Sequence, residues 1–111
     1  MAKDDYFVIV YRLLKYLYDC LKRSKTPNME VLDADFFSIK EPYWEYIVRN
    51  LYTEGYISGI VLFPVLGRSE KAVKITPDIK ITPKGIQYIE ENSVFQKVKE
   101  AVKDIAGIIP L

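Results

Sequence analysis

Apolar side chains recur at helical spacing near the start of the chain and predict one long amphipathic helix from Asp4 to Arg23. Acidic residues at its start and basic residues at its end match the helix dipole. Thr26-Pro27-Asn28 stops the helix, because proline cannot continue it. The residues predicted to face inward are Tyr6, Ile9, Val10, Leu13, Leu17, Cys20 and Leu21.

A second apolar stripe lies beside the first on this helix, at intervals of four, three and four residues. Such spacing is typical of the seam between two packed helices. Two interpretations stay open. The stripe is covered within the monomer by the C-terminal helix, or it is the interface of a homodimer. Its members are Phe7, Tyr11, Leu14 and Tyr18.

The middle of the chain predicts two further helices. A short one runs from Asp33 to Ile39, with Asp33 as its N-cap. After the Lys40-Glu41-Pro42 turn, a helix over residues 43–54 starts with Pro42 at its first position. Its inward residues are Trp44, Ile47, Val48 and Leu51. Gly55 follows as the left-handed residue that ends many helices.

A hairpin and two last helices complete the pattern. Residues 56–63 are rich in β-branched and aromatic side chains and predict a strand, with a bulge or a close backbone approach at Gly59. The tip spans 64–69 and the return strand 72–75, while residues 78–81 either extend that strand or cross the base of the sheet. Thr82-Pro83 starts a helix that ends near Asn92, and Ser93 caps another through about residue 106.

This order of elements predicts an α+β fold. It is a winged helix-turn-helix with a long N-terminal helix, a β-hairpin wing and an additional C-terminal helix. At 111 residues the chain is long enough for one such domain, which we expect to span residues 1–111.

Three segments resemble the YjcQ-like proteins, which are small winged-helix proteins of Gram-positive bacteria and their phages. They are residues 38–44 (Ser-Ile-Lys-Glu-Pro-Tyr-Trp), 51–60 with Glu54-Gly55-Tyr56-Ile57, and 81–93 with Thr82-Pro83-Lys84-Gly85. The resemblance covers roughly residues 30 to 106. It implies a fold and a phage or prophage association, and it carries no established activity and no ligand residues.

Composition argues against catalysis. The chain has no histidine, the commonest general base and zinc ligand, and its single cysteine falls on the inward face of the first helix. No glycine-rich phosphate loop or cluster of metal ligands is present. We therefore expect no enzyme, no cofactor and no metal. With no apolar run near the ~20 residues of a membrane span, we expect a cytoplasmic protein without a membrane partner.

One functional interpretation is a prophage-type transcriptional regulator that binds double-stranded DNA, in which residues 43–54 enter the major groove. The candidate DNA-binding residues are Lys40, Arg49, Asn50, Thr53, Arg68, Lys71 and Lys74. Charge counts against it, because residues 29–63 carry two basic and six acidic side chains. Phosphate contact supplies most nonspecific affinity for DNA.

The alternative interpretation is a non-enzymatic module of phage origin that binds another phage or host protein and no DNA. Its support is the large number of tyrosines, a residue enriched at protein interfaces. Three lie on the helix over 43–54 and three on the first helix, at Tyr43, Tyr46, Tyr52, Tyr11, Tyr16 and Tyr18. A salt titration with duplex DNA separates the two interpretations, because the first predicts binding that weakens steeply with salt and the second predicts no binding.

Overall fold

A computed structural model describes residues 2–102 of the chain. Within these residues the order is α1 (Tyr6–Lys22), a short 3₁₀ turn (Met29–Val31), α2 (Glu41–Thr53), β1 (Ile57–Phe63), β2 (Ala72–Ile81), α3 (Pro83–Glu91) and α4 (Val94–Val102). The two strands form an antiparallel hairpin that follows the first helices. The fold is α+β with the layout of a winged helix, as predicted.

Helix α1 runs through the middle of the molecule and is buried along most of its length. It ends earlier than Pro27 requires, because Ser24 adopts a left-handed conformation with φ of 55°. The amide of Lys25 then reaches back to the carbonyl of Cys20 at 2.9 Å, which is the bond of a Schellman cap. Cys20 is buried, as its place in the inward stripe predicts.

The predicted helix from Asp33 to Ile39 is wrong. Residues 34–38 form a single turn. The Asp33 carboxylate accepts the amide of Phe36 at 2.8 Å, as an N-cap does. Ser38 then takes a φ of 57°, and the amide of Ile39 bonds to the carbonyl of Ala34 at 3.0 Å. The left-handed Ser38 therefore closes the turn before a second turn can form.

Helix α2 begins one residue before its predicted proline and buries the predicted face, formed by Trp44, Ile47, Val48 and Leu51. Gly55 has a φ of 85°, and the amide of Tyr56 bonds to the carbonyl of Leu51 at 2.9 Å. The predicted left-handed end of this helix is confirmed. It turns the chain directly into β1.

The hairpin, which we call the wing, contains the bulge predicted at Gly59. The pairing shifts between Ser58 and Ile60, and Gly59 has a φ of 82°. A Cβ on Gly59 would lie 2.5 Å from the backbone of Asp78. Residues 78–81 extend the return strand, so of the two predicted alternatives the first is confirmed.

Helix α3 starts as predicted. The Thr82 side chain caps it by accepting the amide of Gly85 at 3.1 Å. Helix α4 begins at Val94, directly after Ser93 as predicted, and the side chain of Asn92 also accepts the amide of Val94 at 3.1 Å. The last residues of the helix predicted over 93–106 lie outside the described residues.

A single cluster of buried side chains joins the four helices to the wing. Phe95 of α4 is 1% exposed and packs against the second stripe of α1, with its ring 5.8 Å from Phe7 and 6.1 Å from Tyr11. The middle of the stripe is thus covered within the monomer, while Phe7 at its start stays exposed and the homodimer interface remains a prediction. No helix within residues 2–102 is long and apolar enough to cross a membrane.

Candidate interaction surface

The outward face of α2 and the end of the wing lie against each other. The wing tip, residues 64–71, joins β1 to β2 and brings two charged side chains of opposite sign over two on α2. Glu45 and Arg49 are one helical turn apart, so they lie on the same side of α2. The facing residues on the wing tip are Arg68 and Glu70.

Two ion pairs join these residues, and we call them the wing–α2 ion pairs. Arg49 donates from Nη2 to Oε2 of Glu70 at 2.8 Å and from Nη1 to the carbonyl of Lys71 at 3.1 Å. Arg68 donates from Nη2 to both carboxylate oxygens of Glu45 at 3.2 Å. Each arginine therefore bonds to an acidic residue of the other element.

In each pair one side chain is well covered and its partner is open to solvent. The exposed fraction is 15% for Arg49 against 64% for Glu70, and 13% for Glu45 against 41% for Arg68. Pairs at this level of exposure contribute about 0.2–1 kcal/mol each, and salt screens them. The wing tip is held on α2 by a modest free energy that a competing partner can exceed.

Three of the seven candidate DNA-binding residues have intramolecular partners. Arg49 and Arg68 belong to the wing–α2 ion pairs. The side-chain amide of Asn50 donates to the carbonyl of Tyr46 on its own helix at 2.7 Å. Arg49 and Asn50, whose side chains are of the types that bind guanine and adenine edges, are thus engaged within the chain.

The other four candidates are exposed and spread apart. Lys40 precedes α2 and Thr53 ends it, so about 20 Å of helix separates them. Lys71 closes the wing tip and Lys74 lies on β2 opposite Val61. The structure therefore gathers Arg49, Arg68 and Lys71 at one place and leaves the remaining candidates around it.

The charge of this surface is nearly balanced. Residues 40–54 and 64–74, which form α2 and the outer wing, carry five basic and four acidic side chains. Proteins that bind DNA mainly through phosphates present a clear excess of basic residues there. The small surplus here comes from the lysines, since both arginines are neutralised by their partners.

The outer wing exposes apolar side chains. Val61 and Phe63 alternate along β1 and point to the same side, away from the buried Ile60. Leu66 stands at the wing tip and is fully exposed. Large exposed apolar side chains grouped on one element are a feature of protein contact sites.

Tyrosines provide a second group of exposed rings. Tyr46 and Tyr52 of α2 are exposed, and the ring of Tyr46 lies 6.4 Å from that of Tyr6 on α1. Burial, with the neighbouring tyrosines Tyr88, Tyr46, Tyr43 and Tyr56, raises the pKa of Tyr6 to about 12. Tyr11 and Tyr16, in contrast, are core residues.

The four residues of the candidate dimer interface do not share one environment. Leu14 is fully buried in the core, and Tyr11 is 9% exposed and packs against Phe95 of α4. Phe7 is exposed, while the ammonium of Lys22 lies 4.5 Å from the ring centre of Tyr18. A homodimer of this fold would therefore meet Phe7 and the edge of Tyr18 at the surface of α1.

The acidic halves of the wing–α2 ion pairs are the site residues that the sequence reasoning missed. Glu45 lies on the outward face of α2 and Glu70 on the wing tip, and neither is among the seven candidates predicted from the sequence. A signal was present in the alternation of charge, since Glu45 and Arg49 on α2 mirror Arg68 and Glu70 on the wing tip. Residues four apart share one side of a helix and residues two apart share one face of a strand, so α2 and the wing tip present complementary charges.

Comparison with known protein families assigns most of the chain to a family. A family described as YjcQ protein matches residues 11–108 of the chain. No curated protein matches, and no solved structure matches.

Proposed function

The chain belongs to the YjcQ family, and we propose that it is a non-enzymatic module that binds another protein through its outer wing. The observation that carries this proposal is the pair of wing–α2 ion pairs, which use both arginines of the surface internally. The apolar side chains of Val61, Phe63 and Leu66 remain free to be buried by a partner. We include in this proposal the phage association that the sequence resemblance implies.

The apolar wing supports a protein partner for an energetic reason. Burying apolar surface contributes about 25 cal/mol per Å², and phenylalanine and leucine each bring a large area. Duplex DNA offers mainly phosphates and base edges, which would leave these side chains unmatched. A partner with an apolar groove and a weakly charged rim would match them.

A DNA-binding regulator is the second candidate, and the exposed lysines favour it. Lys71 and Lys74 lie on the outer wing and Lys40 precedes α2, and within residues 2–102 none of them forms an ion pair. Three phosphate contacts per monomer would give a slope of log affinity against log salt of about −3.

Two variants separate the candidates on mixed-sequence duplex DNA at low salt. If the protein is the proposed module, the wild type does not bind this DNA. Glu45→Gln with Glu70→Gln frees both arginines and should create measurable, salt-sensitive DNA binding if the ion pairs are what withholds them. Glu30→Gln with Glu90→Gln is the control, since it raises the net charge by the same amount at exposed positions outside the wing and α2.

Wild-type binding to duplex DNA would favour the second candidate, provided that Lys71→Ala with Lys74→Ala weakens this binding and flattens its dependence on salt.

For the protein partner, Phe63→Ser with Leu66→Ser should leave the thermal midpoint of unfolding nearly unchanged and abolish capture of a specific host or phage protein. Capture that survives these changes contradicts the wing as the contact surface.

A further inference from the structure

Arg12 on α1 is a buried cation outside the wing–α2 surface. Its residue is 5% exposed, and the other strongly buried charged residue among 2–102, Asp19, pairs with Lys15 and Lys22. The side chain of Arg12 forms no hydrogen bond and no ion pair within residues 2–102. Its guanidinium carbon lies 4.9 Å from the ring centre of Phe37. Burial lowers the pKa of Arg12, and it has five donors to satisfy.

The guanidinium nitrogens open onto a cavity. Every fully enclosed side-chain nitrogen or oxygen within residues 2–102 has a hydrogen-bond partner. The nitrogens of Arg12 have none, so they must keep access to the space beside them. That space is a cavity of about 310 Å³ lined by Lys3, Asp4, Arg12, Phe36, Phe37 and Ser38.

We propose that this cavity binds a small monocarboxylic acid with an apolar body. A carboxylate takes two parallel hydrogen bonds from an arginine, and a buried cation gains most from such a partner. Phe36 and Phe37 supply an apolar wall, and Lys3 adds a second positive charge at the rim. The volume lies at the lower end of the range for ligand cavities.

The charge of the lining sets the preference for a monoanion. Lys3 and Arg12 bring two positive charges and Asp4 one negative charge, so one positive charge is left over. A phosphate dianion would exceed it and would also be repelled by Asp4. The carboxylate of Asp4 is the internal competitor for Arg12, although no ion pair between them exists in this structure.

The site is connected to α2 through a stack of rings. The ring of Phe37 is stacked on Trp44 with centroids 5.3 Å apart, so Phe37 lies between the guanidinium and the indole. The hydroxyl of Tyr43 donates to the carbonyl of Asp4 at 2.8 Å. A ligand held by Arg12 therefore contacts the same turn that supports the start of α2. This inference does not depend on the proposed function.

The test is a titration of the whole chain with benzoate. Binding is monitored by the NMR signals of the Arg12 side chain and of the indole of Trp44, which is the one tryptophan. Benzoate should give a saturable shift of both signals, and inorganic phosphate should need at least about tenfold more ligand. Arg12→Met should weaken benzoate binding by about tenfold or more. Arg23→Met, an exposed arginine on the same segment, should bind as the wild type.

Two rim variants keep the test valid if Arg12→Met does not fold. Asp4→Asn should strengthen benzoate binding and Lys3→Ala should weaken it, and both positions are exposed. The proposal is overturned if benzoate gives no saturable shift, or if the shift is the same in Arg12→Met. It is also overturned if binding occurs only in Asp4→Asn, because Asp4 would then be the true partner of Arg12.

Discussion

At the scale of single residues, the first turn of α3 requires glycine at position 85, because no space is left there for a side chain. The carbonyl of Tyr56 accepts the amide of Thr82 at 3.0 Å, and the Thr82 hydroxyl donates to the carbonyl of Gly55 at 2.6 Å. These bonds pull the first turn of α3 against the end of α2. A Cβ on Gly85 would lie 2.3 Å from the carbonyl oxygen of Tyr56, a distance that no side chain tolerates.

We therefore expect Gly85→Ala to lower the free energy of unfolding by about 1–3 kcal/mol. Inside an unconstrained helix the same change stabilises by up to about 1 kcal/mol, so the two possibilities differ in sign. The measurement is urea unfolding at equilibrium. Gln87→Ala on the exposed side of α3 is the control, expected within about 0.5 kcal/mol of the wild type. A more stable Gly85→Ala protein would refute the close contact.

At the scale of elements, local signals predicted most of the fold. Pro27, Gly55, Gly59 and Thr82-Pro83 constrain the backbone directly, and the ends or irregularities they mark lie at or near those residues. The prediction of a helix from Asp33 was wrong at its end. Asp33 does cap the segment, but the left-handed residue that closes it is Ser38, and a serine is not recognised as a helix end in the way that a glycine is. Such an end is set by packing, which a local pattern does not contain.

The candidate surface was predicted less well than the fold, for a reason of the same kind. Arg49 and Arg68 were correctly placed on α2 and on the wing, but their partners Glu70 and Glu45 are about twenty residues away in sequence. Which charges meet depends on how the wing closes on α2. Similarly, Arg12 gives no sequence signal, because its burial and its cavity arise from the turn around Phe37.

Helix α4 shows how one residue can hold an element. Phe95 is almost fully buried, and its ring contacts those of Phe7, Tyr11 and Tyr88. Phe95→Ala should therefore lower the free energy of unfolding by about 3–5 kcal/mol, through lost burial and the cavity left behind. Gln96→Ala, on an exposed position of the same helix, should change it by less than about 0.5 kcal/mol.

The same variant tests whether α4 shields the second stripe of α1. With Phe95 removed, hydrogen exchange of the α1 amides near Tyr11 and Leu14 should speed up more than exchange in α2. Uniform acceleration in both helices would mean that α4 supports the whole core and does not act as a local cover.

At the scale of the whole molecule, tyrosines from four parts of the chain meet around Tyr6. Tyr43 and Tyr46 come from α2, Tyr88 from α3 and Tyr56 from the turn before β1. The rings of Tyr56 and Tyr88 are stacked 4.1 Å apart and in parallel planes. Because the cluster forms only when these elements pack together, the ionisation of its members reports on the complete fold.

Tyr6 makes the stability depend on pH in alkaline solution. Its pKa is raised by burial to about 12 in the folded protein, against a value of 10.0 for an ordinary tyrosine. Between about pH 10 and 12 the folded state therefore holds a proton that the unfolded chain has released, and the stability it confers is lost as the pH rises through that range.

Tyr6→Phe removes this group, so the stability of the variant should fall less than that of the wild type between pH 8 and about pH 11. Urea unfolding at both pH values measures the difference, and lysine titration cancels between the two proteins. Tyr52→Phe removes a phenol from an exposed position and controls for the number of tyrosines. An identical pH dependence in the wild type and in Tyr6→Phe would show that the cluster does not hold the Tyr6 proton, and the packing of α1 against α2 and α3 at this point would then need to be looser than described.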